Sequence, residues 1–251
     1  MKYKKTLKKD FNFNNKKLNI HIAIPTYNRP EFLLTLIKQI YEYRKDFNLS
    51  IFIYNDCSTE DYSDIEHFIS KSNNVIFEYK INEKNFGREF YSLTYNNIFN
   101  DIKDKNADYY IQIPDDVEIV DDFFNRAIKT IIQTKEEVIN IFTIKKLTRR
   151  FVKLKIKKVI IGNNEYWESG WIDGAYIAKK SFFEKIGYHI DIVNKSRWKN
   201  KNLGSGTCNQ IVKKYKKRPI YQLTKSLLIH KGFWSEMRKF NRDNEDSRSK
   251  L

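Results

Sequence analysis

Three acidic side chains within four positions, Asp115, Asp116 and Glu118, follow directly on the apolar run Tyr109-Tyr110-Ile111-Gln112-Ile113-Pro114. Carboxylates this close repel one another unless a cation sits among them. A strand-length apolar run that stops at a proline and then delivers acids is how an open α/β sheet presents ligand groups at a carboxyl edge. The chemistry implied is cation binding, and through the cation the binding of an anion. The plain alternative is a turn at Asp115 and Asp116, with Asp121 or Asp122 capping the next helix. Polar groups follow other strand-like runs in the same way. Thr26-Tyr27-Asn28-Arg29 follows a run ending at Pro25, Asn55-Asp56-Cys57-Ser58-Thr59-Glu60-Asp61 follows Ile51–Tyr54, and His230 follows Leu227-Leu228-Ile229. Asn85-Phe86-Gly87-Arg88 lies in the loop after Val75–Tyr79, with Arg88 at a helix start where an anion would be met by free backbone N–H groups.

These groups need a scaffold that brings strand ends to one edge, and the pattern supplies it. Strands are expected at 18–25, 51–54, 75–79, 109–114 and 138–144. Between them, Phe32, Leu33, Leu36, Ile37, Ile40 and Tyr41 form one apolar helical face, and helices are expected at 62–70, 89–99 and 123–134. Such alternation predicts an α/β fold, a mostly parallel central sheet flanked by helices, with a nucleotide-binding half over 18–125. Residues 126–238 read as a less regular α+β half of the same domain. From Lys153 basic and apolar residues alternate, which predicts a half-buried antiparallel strand with a cationic outer face. Helices are expected from Lys179 to Ile186 and around Lys213–Lys217. Residues 1–17 read as a loose basic arm and 239–251 as a polar tail.

Composition narrows the partners. A net charge of +16 points to an anionic partner, whether nucleotide, acidic polymer or membrane surface. Two cysteines, Cys57 and Cys208, and four dispersed histidines indicate neither a disulfide framework nor a zinc site, and fit a reducing cytoplasm. No apolar run approaches the ~20 residues of a membrane span, and no apolar segment follows the basic start as in a signal peptide. Aromatics lie in strand and helix patterns instead of alternating with arginines on one face, which argues against a nucleic-acid-binding module.

In order and placement, the four strand-end motifs resemble those of the A-type-fold glycosyltransferases, in particular the inverting family 2 enzymes that use nucleotide-sugar donors. The resemblance implies that Pro25, Thr26 and Tyr27 hold a nucleotide base, that Asp56 accepts a hydrogen bond from base or ribose, that Arg88 serves the diphosphate, and that Arg29, Asn85 and Asp115 also belong to the nucleotide-sugar site. Ile113-Pro114-Asp115-Asp116-Val117 stands where the family carries an Asp-x-Asp signature, with Pro114 at its first aspartate; this makes Asp116 the metal ligand, with Asp115 beside it. Asn55 and Cys57 replace an aspartate and a glycine usual in the second motif. Ile229-His230-Lys231-Gly232 resembles a terminal segment that folds over the nucleotide, with His230 as a second ligand to Mn2+ or Mg2+. The activity implied is transfer from a UDP-sugar to a hydroxyl of a glycan acceptor, with inversion. Direct displacement then needs a base on the acceptor side, outside the metal-holding motif. Asp173, between Trp171 and the small Gly174 and Ala175, is the candidate, with Glu168 and Asp191 in reserve. A sugar-phosphate nucleotidyltransferase shares the layout but needs a Gly-rich first turn, which Pro25-Thr26-Tyr27-Asn28-Arg29 is not. The basic stretches suggest peripheral contact with an anionic membrane surface.

Overall fold

The computed structural model describes residues 3–10, 16–87, 90–143, 145–172, 174–191, 203–231, 234–235 and 240–241. Strand β1 (Tyr3–Lys9) precedes β2 (Asn19–Thr26), α1 (Pro30–Tyr41), β3 (Asn48–Asn55), α2 (Ser63–Lys71), β4 (Val75–Asn82), α3 (Tyr91–Lys103), β5 (Tyr109–Gln112), β6 (Val117–Ile119) and α4 (Phe123–Thr134). Then come β7 (Val138–Asn140), α5 (Lys145–Lys153), β8 (Lys158–Ile161), β9 (Asn164–Ser169), β10 (Tyr176–Ala178), α6 (Lys180–Ile186), α7 (Leu203–Tyr215), β11 (Ile220–Leu223), β12 (Leu228–His230), β13 (Trp234–Ser235) and β14 (Phe240–Asn241).

Ten strands form one sheet in the order β1-β4-β3-β2-β5-β10-β7-β11-β9-β8. Its core, β4-β3-β2-β5, is parallel throughout, as strands joined by helical crossovers must be. Alternation along β2 divides the interior: Ile20, Ile22 and Ile24 join the apolar faces of α1, α2 and α4, whereas Ala23 joins those of α3, α6 and α7. The result is three layers, with the strand ends exposed to loops at one edge. In the second half only β7 and β11 pair in parallel; β10 runs antiparallel to both β5 and β7, and β11-β9-β8 is antiparallel.

Three expectations are corrected. Tyr3–Lys9 is not a loose arm but an antiparallel edge strand on β4, tied down by Lys5–Glu66 at 2.5 Å and Lys8–Glu78 at 2.7 Å. The basic run is a helix first, α5, and only Lys158–Ile161 is strand; the alternation was real but covered the last few residues. Asp122 stands at the N-cap position of α4 in the left-handed region (φ 56) and makes no capping bond; its Oδ1 accepts from Asn125 Nδ2 at 2.6 Å.

Candidate active site

Parallel pairing of β2 with β5 sets Ala23 beside Gln112, so the chain leaves both strands side by side and brings Thr26 to Asp115. Thr26 Oγ1 donates to Asp115 Oδ2 at 2.8 Å. Arg29, just before α1, sends one guanidinium nitrogen to both acids: Nη1 is 3.1 Å from Asp115 Oδ1 and 2.6 Å from Asp116 Oδ2. The small β6-β12 ladder delivers the last partner. Register places His230 opposite Val117, the Lys231 N–H donates to the Asp116 carbonyl at 2.8 Å, and His230 Nε2 lies 3.2 Å from Asp116 Oδ2. Gln39 of α1 holds β6 by accepting from the Ile119 N–H at 3.0 Å. Five of the residues singled out in the sequence, Thr26, Arg29, Asp115, Asp116 and His230, thus meet in one cluster.

The acids and the imidazole are buried, with Asp115 4%, Asp116 1% and His230 6% exposed. Burial pushes the Asp115 carboxyl up to about 6; Arg29 opposes the rise and Asp116 adds to it. Among the described residues the cluster joins two carboxylates, one guanidinium and one imidazole. Asp116 Oδ2 and His230 Nε2 are spaced like neighbouring ligands of one small divalent ion, about 3 Å apart at metal–ligand distances near 2.1 Å. Among the described residues no group of three or more His, Cys, Asp or Glu side chains could hold a metal. The donor set therefore fits an ion bound by one or two protein groups and completed by phosphate oxygens and water, the usual manner of Mg2+.

Asp56 does something different. Its N–H donates to the Thr26 carbonyl at 3.0 Å, and its carboxylate accepts from Asn82 Nδ2, the Phe86 N–H and the Gly87 N–H at 2.8–2.9 Å. Burial pushes its pKa up, while the bonds from Phe86, Asn82 and Gly87 hold it down. Asn85 Nδ2 donates to the Asp56 carbonyl at 2.8 Å, so Asp56 is the clamp of the loop that carries Asn85. A carboxylate offers about four lone-pair sites, and three are used here. Asn55 accepts from the Ser58 N–H at 2.8 Å and donates to the Tyr79 hydroxyl at 2.7 Å, bending the chain after β3. Cys57 then takes φ 58, the left-handed conformation that favours glycine.

Pro25 and Tyr27 are half-buried beside this edge. Arg88 and Asp173 lie outside the described residues; at Trp171 the carbonyl accepts from Asn140 Nδ2 at 2.6 Å and Ser169 Oγ at 3.3 Å. The reserve carboxylates pair with lysines, Glu168 with Lys157 and Asp191 with Lys214, both at 3.4 Å. Reasoning from the sequence passed over two residues. The Tyr62 hydroxyl sits 2.9 Å from Thr26 Oγ1, 3.2 Å from Ser58 Oγ and 3.1 Å from the Arg29 N–H, which fixes the stem of the arginine. Asn28, at φ 51, accepts from the Thr59 N–H at 2.8 Å and joins the first two strand-end loops. An asparagine next to a proline-flanked arginine was the signal for Asn28; nothing local marks Tyr62.

The profile of the family described as Glycosyl transferase family 2 matches residues 21–191, which include every strand-end loop of the parallel core. No curated protein matches the sequence. Among solved structures, S. aureus TarS 1-349 in complex with UDP-GlcNAc superposes with a TM-score of 0.55 at 13% identity, covering 88% of this chain and 60% of that one. Mannosyltransferase PcManGT from Pyrobaculum calidifontis, in complex with GDP-Man and Mn2+, gives 0.53 at 13% identity, covering 70% of this chain and 48% of that one. The chain thus spans less than two thirds of the length of either, and at these identities the likeness is one of fold.

Proposed function

Because this chain belongs to glycosyl transferase family 2, we propose that it transfers a sugar from a nucleotide diphosphate donor, UDP in the first instance, to a hydroxyl of a glycan acceptor with inversion. The observation that carries the proposal is the convergence of Thr26, Arg29, Asp115, Asp116 and His230 on one buried cluster at the carboxyl edge of the parallel strands. TarS with UDP-GlcNAc and PcManGT with GDP-Man and Mn2+ support a nucleotide-sugar donor and a divalent ion. They differ in base, so the choice of uridine rests on the motifs.

Asp116 and His230 would hold Mn2+ or Mg2+, which supplies positive charge to the departing diphosphate. Arg29 keeps both acids oriented and their charge partly offset. Pro25, Thr26 and Tyr27 border the base, and the last lone pair of Asp56 accepts from base or ribose, while its other bonds hold the Asn85 loop in place. Arg88, two residues past Phe86, adds charge for the phosphates. On the acceptor side Asp173 takes the proton of the attacking hydroxyl.

Calorimetry of UDP binding tests this directly. Affinity should rise when Mn2+ is added to the wild type and be indifferent to Mn2+ in Asp116→Asn; equal affinities under all four conditions would refute the cation site. Separately, Asp173→Asn should lower turnover roughly a hundredfold with donor affinity intact. Near wild-type turnover in that variant, with loss in Glu168→Gln or Asp191→Asn, would move the base to that residue.

A further inference from the structure

The segment from α5 to β8 combines two properties that surfaces of folded domains normally keep apart. Val152, Leu154 and Ile160 are 61%, 56% and 76% exposed, three of the six large exposed hydrophobics among the described residues, and all fall within nine positions. Over residues 145–158 the sequence carries Lys145, Lys146, Arg149, Arg150, Lys153, Lys155, Lys157 and Lys158 and no acidic residue.

Helix α5 and Ile160 lie on one side of the sheet. Phe151 of α5 packs on Trp167 of β9 with ring centroids 5.7 Å apart, which places α5 over the face to which Trp167 points. Lys158 pairs with Trp167 in register and lies 4.9 Å over its ring, and Ile160, two residues along β8, faces the same way. The turn after α5 is built to present Leu154. The Ile156 N–H donates to the Phe151 carbonyl and the Lys155 N–H to the Val152 carbonyl, a Schellman closure in which Lys155 holds the left-handed position (φ 53) that glycine usually fills. Charge there survives pairing: Lys157 and Lys158 are answered by Glu168 and Glu165, but among the described residues Lys153 and Lys155 have no acidic partner.

We propose that α5, the turn at Leu154–Lys155 and the open edge strand β8 form a docking surface for an anionic lipid bilayer, with Val152, Leu154 and Ile160 entering the interfacial layer and the lysines resting on lipid phosphates. Apolar side chains ringed by lysine are what an interfacial element needs. A soluble polyanion would use the lysines and gain nothing from the three apolar groups, and a second copy adding to the β8 edge would bring like charge against like.

The test is cosedimentation of the full chain with vesicles of phosphatidylcholine alone or mixed with phosphatidylglycerol. Wild type should bind the anionic vesicles and retain part of that binding at high salt. Replacing Lys153 and Lys155 by Gln should weaken it roughly thirtyfold at low salt, from about 1 kcal/mol for each lysine. Replacing Val152, Leu154 and Ile160 by Ser should remove the salt-resistant part, and an environment-sensitive dye at Val152→Cys should shift to the blue only with anionic vesicles. Unchanged vesicle binding by the serine variant, or tighter binding to soluble polyphosphate than to vesicles, overturns the proposal in favour of a polyanion. A concentration-dependent dimer lost in Ile160→Ser overturns it in favour of a second copy. UDP affinity in the same variants reads the donor site independently, so failure of one reading leaves the other in place.

Discussion

The molecule buries two clusters of charge, and they are built on opposite plans. One joins Arg29, Asp115, Asp116 and His230 at the carboxyl edge of the parallel strands. The other lies along the sheet beneath β1, where Lys80 pairs with Asp101 and Glu78, Lys105 lies 4.0 Å from Glu78, Lys8 closes on Glu78, and the Tyr54 hydroxyl donates to Asp101 at 2.7 Å. In the second cluster each acid meets at least one lysine, and aromatic rings of Tyr3, Phe52 and Tyr54 lie within 6 Å of the Lys80 ammonium. Its charges answer one another and staple the edge strand to the sheet. In the first, among the described residues, two acids share one guanidinium and an imidazole where strand-end loops converge. Burial of charge is therefore no mark of function by itself; its place at a strand-end edge is the better one.

The sharpest way to break this distinction is to remove one charge from each. Asp116→Asn should lower turnover roughly a hundred- to a thousandfold, as loss of a charge-stabilising group does, with little change in the denaturation midpoint. Lys80→Met should do the reverse, costing about 3 kcal/mol in urea unfolding by taking the lysine partner from Asp101 and leaving Glu78 to Lys8 and Lys105, with UDP affinity of the folded fraction unchanged. Loss of donor binding in Lys80→Met would merge the two clusters into one functional unit.

His21 sharpens the same contrast by pH. It is buried against Phe52 with Nε2 lacking a hydrogen-bond partner among the described residues, and burial, then Lys105 and Lys80, hold its pKa down to about 3. A histidine depressed in the folded state contributes stability that is complete above its unfolded value near 6.5 and is lost as pH falls toward 3. Wild type should lose roughly 4–5 kcal/mol across that window from this group, and His21→Phe should flatten the slope. An unaltered slope would place the acid sensitivity in the carboxylates instead.

The smallest effect concerns the loop between the clusters. Cys57→Gly relieves a left-handed residue and should raise stability by about 0.5–1 kcal/mol, net of the entropy glycine adds to the unfolded chain. A lower melting temperature in that variant would mean that Cys57 packs usefully where it stands.

The first half of the fold was legible because its strands are buried on both faces, so each reads as a mainly apolar run, interrupted by single polar residues such as His21 and Glu78, that ends in a proline or a polar turn. Strand-end placement followed, and with it Thr26, Asp56, Asp115 and Asp116. His230 could be suspected from its place after the last strand, but its meeting with Asp116 depends on a three-residue ladder that no local pattern announces. The edge elements were illegible for the opposite reason. β1 exposes most of its side chains, so lysine-rich spelling looks the same whether the backbone is paired or not. In α5 the helical spacing of Leu147 and Phe151 was masked by the basic–apolar alternation that begins at Lys153. Tyr62 was missed because its role is carried by a hydroxyl that reaches Ser58 in its own loop, Thr26 at the end of β2 and Arg29 beyond it.

The β6-β12 ladder also sets the order in which the protein can become competent during synthesis. The parallel core and the paired acids are complete once β5 and β6 have emerged, but the imidazole beside Asp116 arrives only with the return of β12 from the far end of the chain. A nascent or truncated chain ending before Leu228 would hold Thr26, Arg29, Asp115 and Asp116 in place without their last partner. Closure of this long-range contact, slow because so much chain must be looped out to make it, is the step that completes the cluster.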